Sequence, residues 1–276
     1  MTELEAFEAH WRMLGMSEHT LECYRGVLRR LSKCVDVGEA GPLDLRAYLT
    51  ERSRHVAAAT VAVDVRALRA FYRWRSEALE CDDPSKGLRL PKIPEPVTES
   101  VSLESYTKLM SAIPTSGWVN ARDRAIISML WSSGARLSEV ARLEVGCLDL
   151  AAGTFTIEKS KTRRPRVVGL TPEACKALRA YLRYPKRRGP WLWVGSQGRF
   201  GPDGVRQMLQ RRSAAAGVRV TAHMFRRSVA ERWLAAGGSE TLLRYHAGWE
   251  SHLMVRRYVR QHGERLAVEE HRRLLG

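Results

Sequence analysis

Two short motifs place an arginine three residues from a side chain with which it could share one face of a helix. Arg136 precedes Glu139 in the run SGARLSE, and His223 precedes Arg226. Residues three apart on a helix are neighbours on its surface. Guanidinium groups bind phosphate oxygens through paired hydrogen bonds and stay charged at physiological pH. Arg136 and Arg226 are therefore candidates for binding a phosphate group, although each motif alone is common in proteins of other kinds.

Three further residues could act with these arginines. Trp249 follows a glycine, and Tyr258 lies nine residues later in the basic run RRYVR. Lys161 lies in a predicted hairpin turn, and Lys159 in the same turn is an alternative to it. A lysine can donate a proton, and a tyrosine hydroxyl can attack phosphorus once it loses its own. Alone, however, a lysine in a turn is usually solvated and a tyrosine is more often a core or interface residue.

Taken together and in this order, these residues resemble the catalytic set of the tyrosine recombinase, or phage integrase, family, which includes the Xer- and Cre-like site-specific recombinases. Members carry an arginine, a hairpin lysine, H-x-x-R, a histidine or tryptophan, and a tyrosine at the spacing found here. The segment 221–228 also resembles the family's T-x-H-x-L-R-H-T. The resemblance assigns catalysis to Arg136, Lys161, His223, Arg226, Trp249 and the nucleophile Tyr258, with Glu139 supporting Arg136.

Three positions depart from the commonest family pattern. Trp249 stands where histidine is commoner, as in the Cre-type recombinases; tryptophan keeps one N–H donor but cannot shuttle a proton. Phe225 replaces a leucine, and Arg227 replaces the histidine that usually follows the catalytic arginine. We expect the changes at positions 225 and 227 not to abolish activity, and Trp249 to keep a phosphate contact without an acid–base role.

The resemblance implies strand cleavage by phosphoryl transfer to tyrosine. Arg136 and Arg226 would bind the phosphate, His223 would accept or position the proton of Tyr258, and Lys161 would protonate the leaving 5′-oxygen. The product would be a 3′-phosphotyrosyl link with a free 5′-hydroxyl. Because that link keeps the bond energy, rejoining through a Holliday junction needs no cofactor and no metal.

The resemblance also implies double-stranded DNA with a specific core site as partner, and self-association to a tetramer on two duplexes. Leu266, Leu274 and Leu275 of the tail would dock into a neighbouring subunit. Two alternatives stay open: a type IB-like topoisomerase, and a catalytically silent DNA-binding accessory protein. The helical first region and short tail favour the recombinase over the former. The presence of the whole catalytic set favours it over the latter.

A proline-rich stretch at 91–98 separates two parts of different charge. Residues 1–95 contain 15 basic and 15 acidic residues, whereas 31 basic and 15 acidic residues follow. Such a basic excess attracts a polyanion. We therefore expect a core DNA-binding domain at 1–90, a linker at 91–98, and a catalytic domain at 99–276 with an exchange helix at about 263–276.

Apolar spacing predicts a mainly α fold in two domains. The first domain shows four helical runs and no strand-like alternation, which predicts a four-helix bundle; the resemblance identifies it with the family's SAM-like core-binding domain. The second is predicted to be α-rich with a small three-stranded antiparallel sheet, formed by strands at 153–157, 166–170 and 191–194. The basic turn with Lys161 joins the first two of these strands.

The composition excludes several other classes of protein. The five cysteines are odd in number and scattered, which argues against a disulfide framework or a zinc site. No run approaches the about 20 apolar residues of a membrane span. The acidic N-terminus lacks the features of a secretory signal. We expect a cytoplasmic, prokaryotic-type protein associated with the nucleoid.

Overall fold

The computed structural model describes residues 2–93, 99–158, 165–184, 189–249, 267–268 and 271–275. Over these residues the chain is mainly helical with a few short strands, as predicted. It divides into two compact units, Met1–Pro96 and Val97–Gly276, and the division falls in the proline-rich stretch. The predicted residues Lys159, Lys161, Tyr258 and Leu266 lie outside the described residues.

In its described residues, the first unit is the predicted four-helix bundle. Its helices are α1, Glu3–Met13; α2, Glu18–Leu31; α3, Pro42–His55; and α4, Ala58–Leu79. Local signals set the helix starts, since the Ser17 hydroxyl accepts a hydrogen bond from the Thr20 amide at 3.2 Å and Pro42 occupies a first turn. The apolar faces meet in a core that contains Phe7 and Phe71.

The second unit is built around one buried helix. The main helices of its described residues are α5, Leu103–Ser111; α6, Trp118–Ser133; α7, Leu137–Ala141; α8, Pro172–Leu182; α9, Pro202–Ala215; α10, Ala222–Ala235; and α11, Glu240–Ala247. Helix α6 is buried on nearly all sides and packs against α8 and α10, as expected of a helix at the centre of a core. Within the described ranges, no helix is long and apolar enough to cross a lipid bilayer.

The second unit contains the predicted three-stranded antiparallel sheet. Its strands, in spatial order, are β1, Leu148–Asp149; β2, Thr154–Ile157; and β3, Arg166–Gly169. Ile157 pairs with Arg166 at the end where residues 158–165 join β2 to β3. The strand β3 packs against α11, which brings the sheet to the candidate site.

The prediction that residues 191–194 form the third strand of this sheet is wrong. The third strand is β1, which apolar spacing did not predict. Val194–Gly195 (β4) instead pairs with Gly198–Arg199 (β5) in a separate hairpin. Only two residues separate β4 from β5, so the entropic cost of closing the loop between these two strands is small. Trp193 lies in the core, where its indole N–H donates to the Val140 carbonyl at 2.7 Å.

Candidate active site

The loop between α6 and α7 places Arg136 at the start of a helix. Gly134 ends α6 with φ +59, in the left-handed region that favours glycine. A Cβ there would lie 3.0 Å from the Cβ of Val229 on α10, so the close approach also favours glycine. Arg136 then occupies the N-cap of α7, and its amide donates to Glu139 Oε2 at 2.8 Å. The two residues therefore meet in one helical turn, as their spacing predicts.

Glu139 is a buried carboxylate that contacts two arginines. It accepts hydrogen bonds from Arg136 Nη1 at 2.9 Å and from Arg166 Nη1 and Nη2 at 3.0 and 2.7 Å. Burial acts to raise the pKa of the Glu139 carboxyl, but the hydrogen bonds and charge of Arg166, together with the bonds from Arg136, outweigh it and lower that pKa. Glu139 is therefore ionised between two guanidinium groups.

His223 and Arg226 lie three residues apart near the start of α10, and Thr221 is the N-cap of this helix. Only 6% of Arg226 is exposed, and its Nη1 donates to the Gly134 carbonyl at 2.9 Å. Its guanidinium carbon lies 4.9 Å from the centre of the Trp249 ring. His223 is exposed on the same turn. The backbone thus fixes Arg226 inside the unit, whereas His223 is accessible from solvent.

The C-terminal end of α11 brings three arginines together. The last carbonyls of a helix have no partner within it, and the helix dipole makes that end partially negative. The carbonyls of residues 246–248 accept hydrogen bonds from three guanidinium groups, and we call these carbonyls the carbonyl turn. The pairs are Arg166 with His246 at 3.2 Å, Arg226 with Ala247 at 2.7 Å, and Arg136 with Gly248 at 3.1 Å. These contacts offset the mutual repulsion of the arginines.

His246 is a half-buried imidazole beside this cluster. Its Nε2 lies 3.0 Å from the Ser133 carbonyl oxygen, so the neutral ring donates Nε2–H to the end of α6. Burial lowers the pKa of His246, and the charges of Arg166 and Arg226 lower it further, against the opposing effect of that hydrogen bond. His246 is therefore neutral at physiological pH and adds no positive charge to the cluster.

The assembled groups form a site for an anion. Arg136 and Arg166 flank the Glu139 carboxylate, and Arg226 meets these two arginines at the carbonyl turn. These four residues therefore carry an excess of positive charge. The Arg136 side chain is 29% exposed, which leaves it accessible to a ligand. Guanidinium groups match the oxygens of a phosphate in geometry as well as in charge. A phosphodiester is the kind of ligand that this arrangement can bind.

The structure brings most of the described predicted residues into this cluster: Arg136, Glu139, Arg226 and Trp249. Sequence reasoning missed Arg166, His246 and Gly248. Arg166 begins a predicted strand and follows a basic segment in which Arg163 and Arg164 offer the same residue type. Its partners Glu139 and His246 are 27 and 80 residues away along the chain. No local pattern could therefore have separated Arg166 from its neighbours.

Gly248 should not tolerate a side chain. Its φ is +63, and an added Cβ would lie 2.7 Å from Arg166 Cζ, which cannot move without loss of the contacts to Glu139. We expect Gly248→Ala to lower the free energy of unfolding more than Gly217→Ala, where φ is +61 but a Cβ would meet nothing within 4 Å. Backbone strain alone should cost the control about 1–2 kcal/mol. Urea denaturation measures both losses, and equal losses would contradict the close approach.

Comparison with known proteins gives matches over most of the chain. The protein-family model described as "Phage integrase family" matches residues 99–265. A second family model, "Phage integrase, N-terminal SAM-like domain", matches residues 4–78. The tyrosine recombinase XerA of Thermococcus kodakarensis is 30% identical over 239 residues, which cover 85% of this chain and 82% of that relative.

Two solved structures share the fold. A lambda integrase dimer bound to a COC′ core site superposes with a TM-score of 0.77 at 15% identity, covering 93% of both chains. A lambda integrase tetramer bound to a Holliday junction gives a TM-score of 0.74 at 17% identity, covering 93% of this chain and 76% of that one. At these identities the likeness establishes the two-domain, mainly α fold.

Proposed function

This chain belongs to the phage integrase family of tyrosine recombinases, and we propose that it is a site-specific recombinase that cleaves and rejoins DNA strands. The observation that carries the proposal is the arginine cluster at the carbonyl turn, in which Arg136 remains accessible. A backbone phosphodiester of DNA is an anion that such guanidinium groups bind. The family match over residues 99–265 supports the same activity.

Cleavage in this proposal is one phosphoryl transfer. Arg136 and Arg226 bind the non-bridging oxygens and stabilise the charge that builds up on them. The Tyr258 oxygen forms a bond to phosphorus as the bond to the 5′-oxygen breaks, and His223 accepts or positions the phenolic proton. Lys161 protonates the 5′-oxygen as it leaves. Rejoining reverses these steps with the 5′-hydroxyl of another strand, so the phosphotyrosyl link supplies the energy.

Trp249 has a different task from these residues. It is 6% exposed, and its ring lies 4.9 Å from the guanidinium carbon of Arg226. An indole has one N–H donor and does not exchange a proton near neutral pH. In the proposal Trp249 therefore orients Arg226 through packing and takes no part in proton transfer.

The proposed partner is double-stranded DNA with a specific core site, bound by a tetramer in the cytoplasm. The relative with a similar fold that is solved as a tetramer on a Holliday junction supports this assembly. Residues 271–275 form a helical segment on which Leu274 is 63% and Leu275 is 78% exposed, as suits docking into a neighbouring subunit.

The first unit offers a surface for the DNA backbone. Arg66, Arg69 and Arg73 are exposed and lie three and four residues apart, so they share one face of α4. Phosphate contacts of this kind make DNA binding strongly salt-dependent. This face fits the core DNA-binding role that we assign to residues 1–90, with residues 99–276 as the catalytic domain.

A covalent capture experiment tests the proposed function. The full-length protein is incubated with a library of nicked duplexes whose core sequence is randomised, and DNA that resists separation under denaturing conditions is sequenced. We expect an adduct whose nucleotide-bearing peptide contains Tyr258, on DNA with inverted half-sites, as a two-fold symmetric pair of subunits requires. No adduct, or one at another residue, would contradict the proposal; adducts without half-sites would favour a topoisomerase.

The proposed acid can be assigned with a better leaving group. Lys161→Ala should slow cleavage of an ordinary phosphodiester by about 100- to 10,000-fold, the usual contribution of a general acid. It should slow cleavage of a 5′-bridging phosphorothiolate far less, because a thiolate leaves without a proton. Lys159→Ala is measured on both substrates in parallel. The same pattern for Lys159→Ala would move the role to Lys159, and equal slowing of both substrates by both variants would exclude either lysine as the acid.

A further inference from the structure

We propose that Arg166 is a positioning residue of this active site, which holds Glu139 and, through Glu139, the phosphate-binding Arg136 in the orientation needed for strand cleavage. The inference rests on the proposed function. Arg166 lies outside the set of residues to which the family resemblance assigns catalysis.

The hydrogen bonds of Arg166 are made to other groups of the protein. Its Nη1 and Nη2 donate to the two oxygens of Glu139 at 3.0 and 2.7 Å, and its Nε donates to the His246 carbonyl at 3.2 Å. All three of its nitrogens thus contact protein acceptors, and the side chain is 10% exposed. A guanidinium group that is little exposed and bonded to protein acceptors in this way acts through the groups that it contacts.

Glu139 transmits this influence to Arg136. Its Oε1 accepts from both Arg166 Nη1 and Arg136 Nη1, at 3.0 and 2.9 Å. With 6% of Glu139 exposed, its ionised form depends on the two neighbouring charges. Without Arg166, burial would favour the protonated carboxyl, and Arg136 would lose the charged partner that fixes its side chain.

Arg166 connects several secondary-structure elements of the second unit. Arg166 is the first residue of β3, Glu139 lies in α7, and His246 lies in the last turn of α11. One side chain therefore joins three elements of the second unit. Lys159 and Lys161 precede β3 closely in the sequence, and the first residue of β3 is linked through Glu139 to Arg136.

A lysine cannot replace these contacts. The guanidinium group forms two parallel hydrogen bonds to Glu139 and a third to the backbone, whereas an ammonium group is a point charge without the planar fork. Arg166→Lys keeps the charge and loses the geometry, and Arg166→Gln loses both. The two variants separate the effect of charge on Glu139 from the effect of its orientation.

The test measures single-turnover adduct formation and DNA affinity of the full-length protein. We expect Arg166→Gln to slow adduct formation by about 100-fold, the cost of a misplaced reactive group, with DNA affinity unchanged. Arg166→Lys should recover part of the rate. If Arg166 acts through Glu139, the double variant with Glu139→Gln should be no slower than Glu139→Gln alone. Additive losses would overturn the inference.

A second ion pair provides the matched control. Arg212 donates to the buried Asp123 through Nε and Nη2 at 2.9 and 2.8 Å, in the same unit. Arg212→Lys should lower the melting temperature as Arg166→Lys does but leave adduct formation unchanged well below that temperature. Equal slowing by the two variants would mean that Arg166 acts only on stability and would overturn the inference.

The pH profile gives a readout that a purely structural role would not change. Arg166 lowers the pKa of Glu139, so its loss raises that pKa, and protonation then begins at a higher pH. We expect the acid limb of the cleavage rate to move upward in Arg166→Gln and not in Arg212→Lys. If the wild type forms the adduct but Arg166→Gln shows neither a shifted acid limb nor a slower rate, the inference is overturned while the proposed function stands. If the wild type forms no adduct, both the proposed function and the inference about Arg166 are contradicted.

Discussion

Tyr258→Phe should reduce the covalent protein–DNA adduct to the background of the assay and leave DNA affinity unchanged. The substitution removes one oxygen and keeps the aromatic ring, so shape and packing change little. The ordinary pKa of a tyrosine is about 10, so the hydroxyl group must lose its proton as its oxygen bonds to phosphorus. Phenylalanine has no such oxygen and cannot form the bond. Adduct on denaturing gels and affinity by fluorescence anisotropy are measured on the same nicked duplex.

Tyr245→Phe is the matched control for this experiment. Tyr245 lies on α11, is 66% exposed and has the Arg244 guanidinium carbon 5.2 Å from its ring centre, so it too is an accessible tyrosine beside a basic residue. We expect adduct at the wild-type level from Tyr245→Phe. An adduct that persists in Tyr258→Phe, or that disappears in both variants, would exclude Tyr258 as the specific nucleophile.

Arg136→Ala should slow strand cleavage by about 1,000- to 100,000-fold, the range for an arginine that stabilises charge in phosphoryl transfer. The loss should fall on the chemical step, because the basic surface still attracts DNA. The melting temperature should change little, since Arg166 keeps its two hydrogen bonds to Glu139. Arg142→Ala, an exposed arginine at the C-cap of the same helix, removes the same charge outside the cluster. A similar loss of rate in Arg142→Ala would mean that net charge, and not position, is decisive.

Arg226→Ala should differ from Arg136→Ala in stability. Arg226 is buried, and its loss leaves the carbonyls of Gly134 and Ala247 without these donors. Each unsatisfied buried carbonyl costs about 1–3 kcal/mol. We expect a comparable fall in cleavage rate together with a clear fall in the free energy of unfolding. Equal free energies of unfolding for Arg226→Ala and Arg136→Ala would contradict the view that hydrogen bonds to backbone carbonyls hold Arg226 in place.

Local signals in the sequence predict much of the fold. The cap at Ser17, the proline at position 42 and the apolar spacing of the first helices each act within a few residues, so they can be read without tertiary information. The meeting of Arg136 with Glu139 is local in the same sense. The four-helix bundle and the antiparallel hairpin of β2 and β3 were predicted correctly for this reason.

The rest depends on contacts between distant segments. Trp191 to Val194 is apolar enough for a strand, but whether such a segment joins the sheet or fills the core is decided by packing, and Trp193 lies in the core. The joining of Arg136, Arg166 and Arg226 by the carbonyl turn has no sequence signature at all, since every residue has a carbonyl. Only the folded backbone reveals that α11 ends where these three side chains meet.

The carbonyl turn has a consequence for how this protein can diverge. Its contacts are made by main-chain oxygens, which every amino acid supplies, so the hold on the arginines does not depend on which side chains occupy positions 246 and 247. At Gly248, by contrast, the residue type is restricted by the backbone conformation and by the nearness of Arg166. Substitutions that retune the surface of α11 can therefore accumulate, or be engineered, without disturbing the phosphate-binding groups.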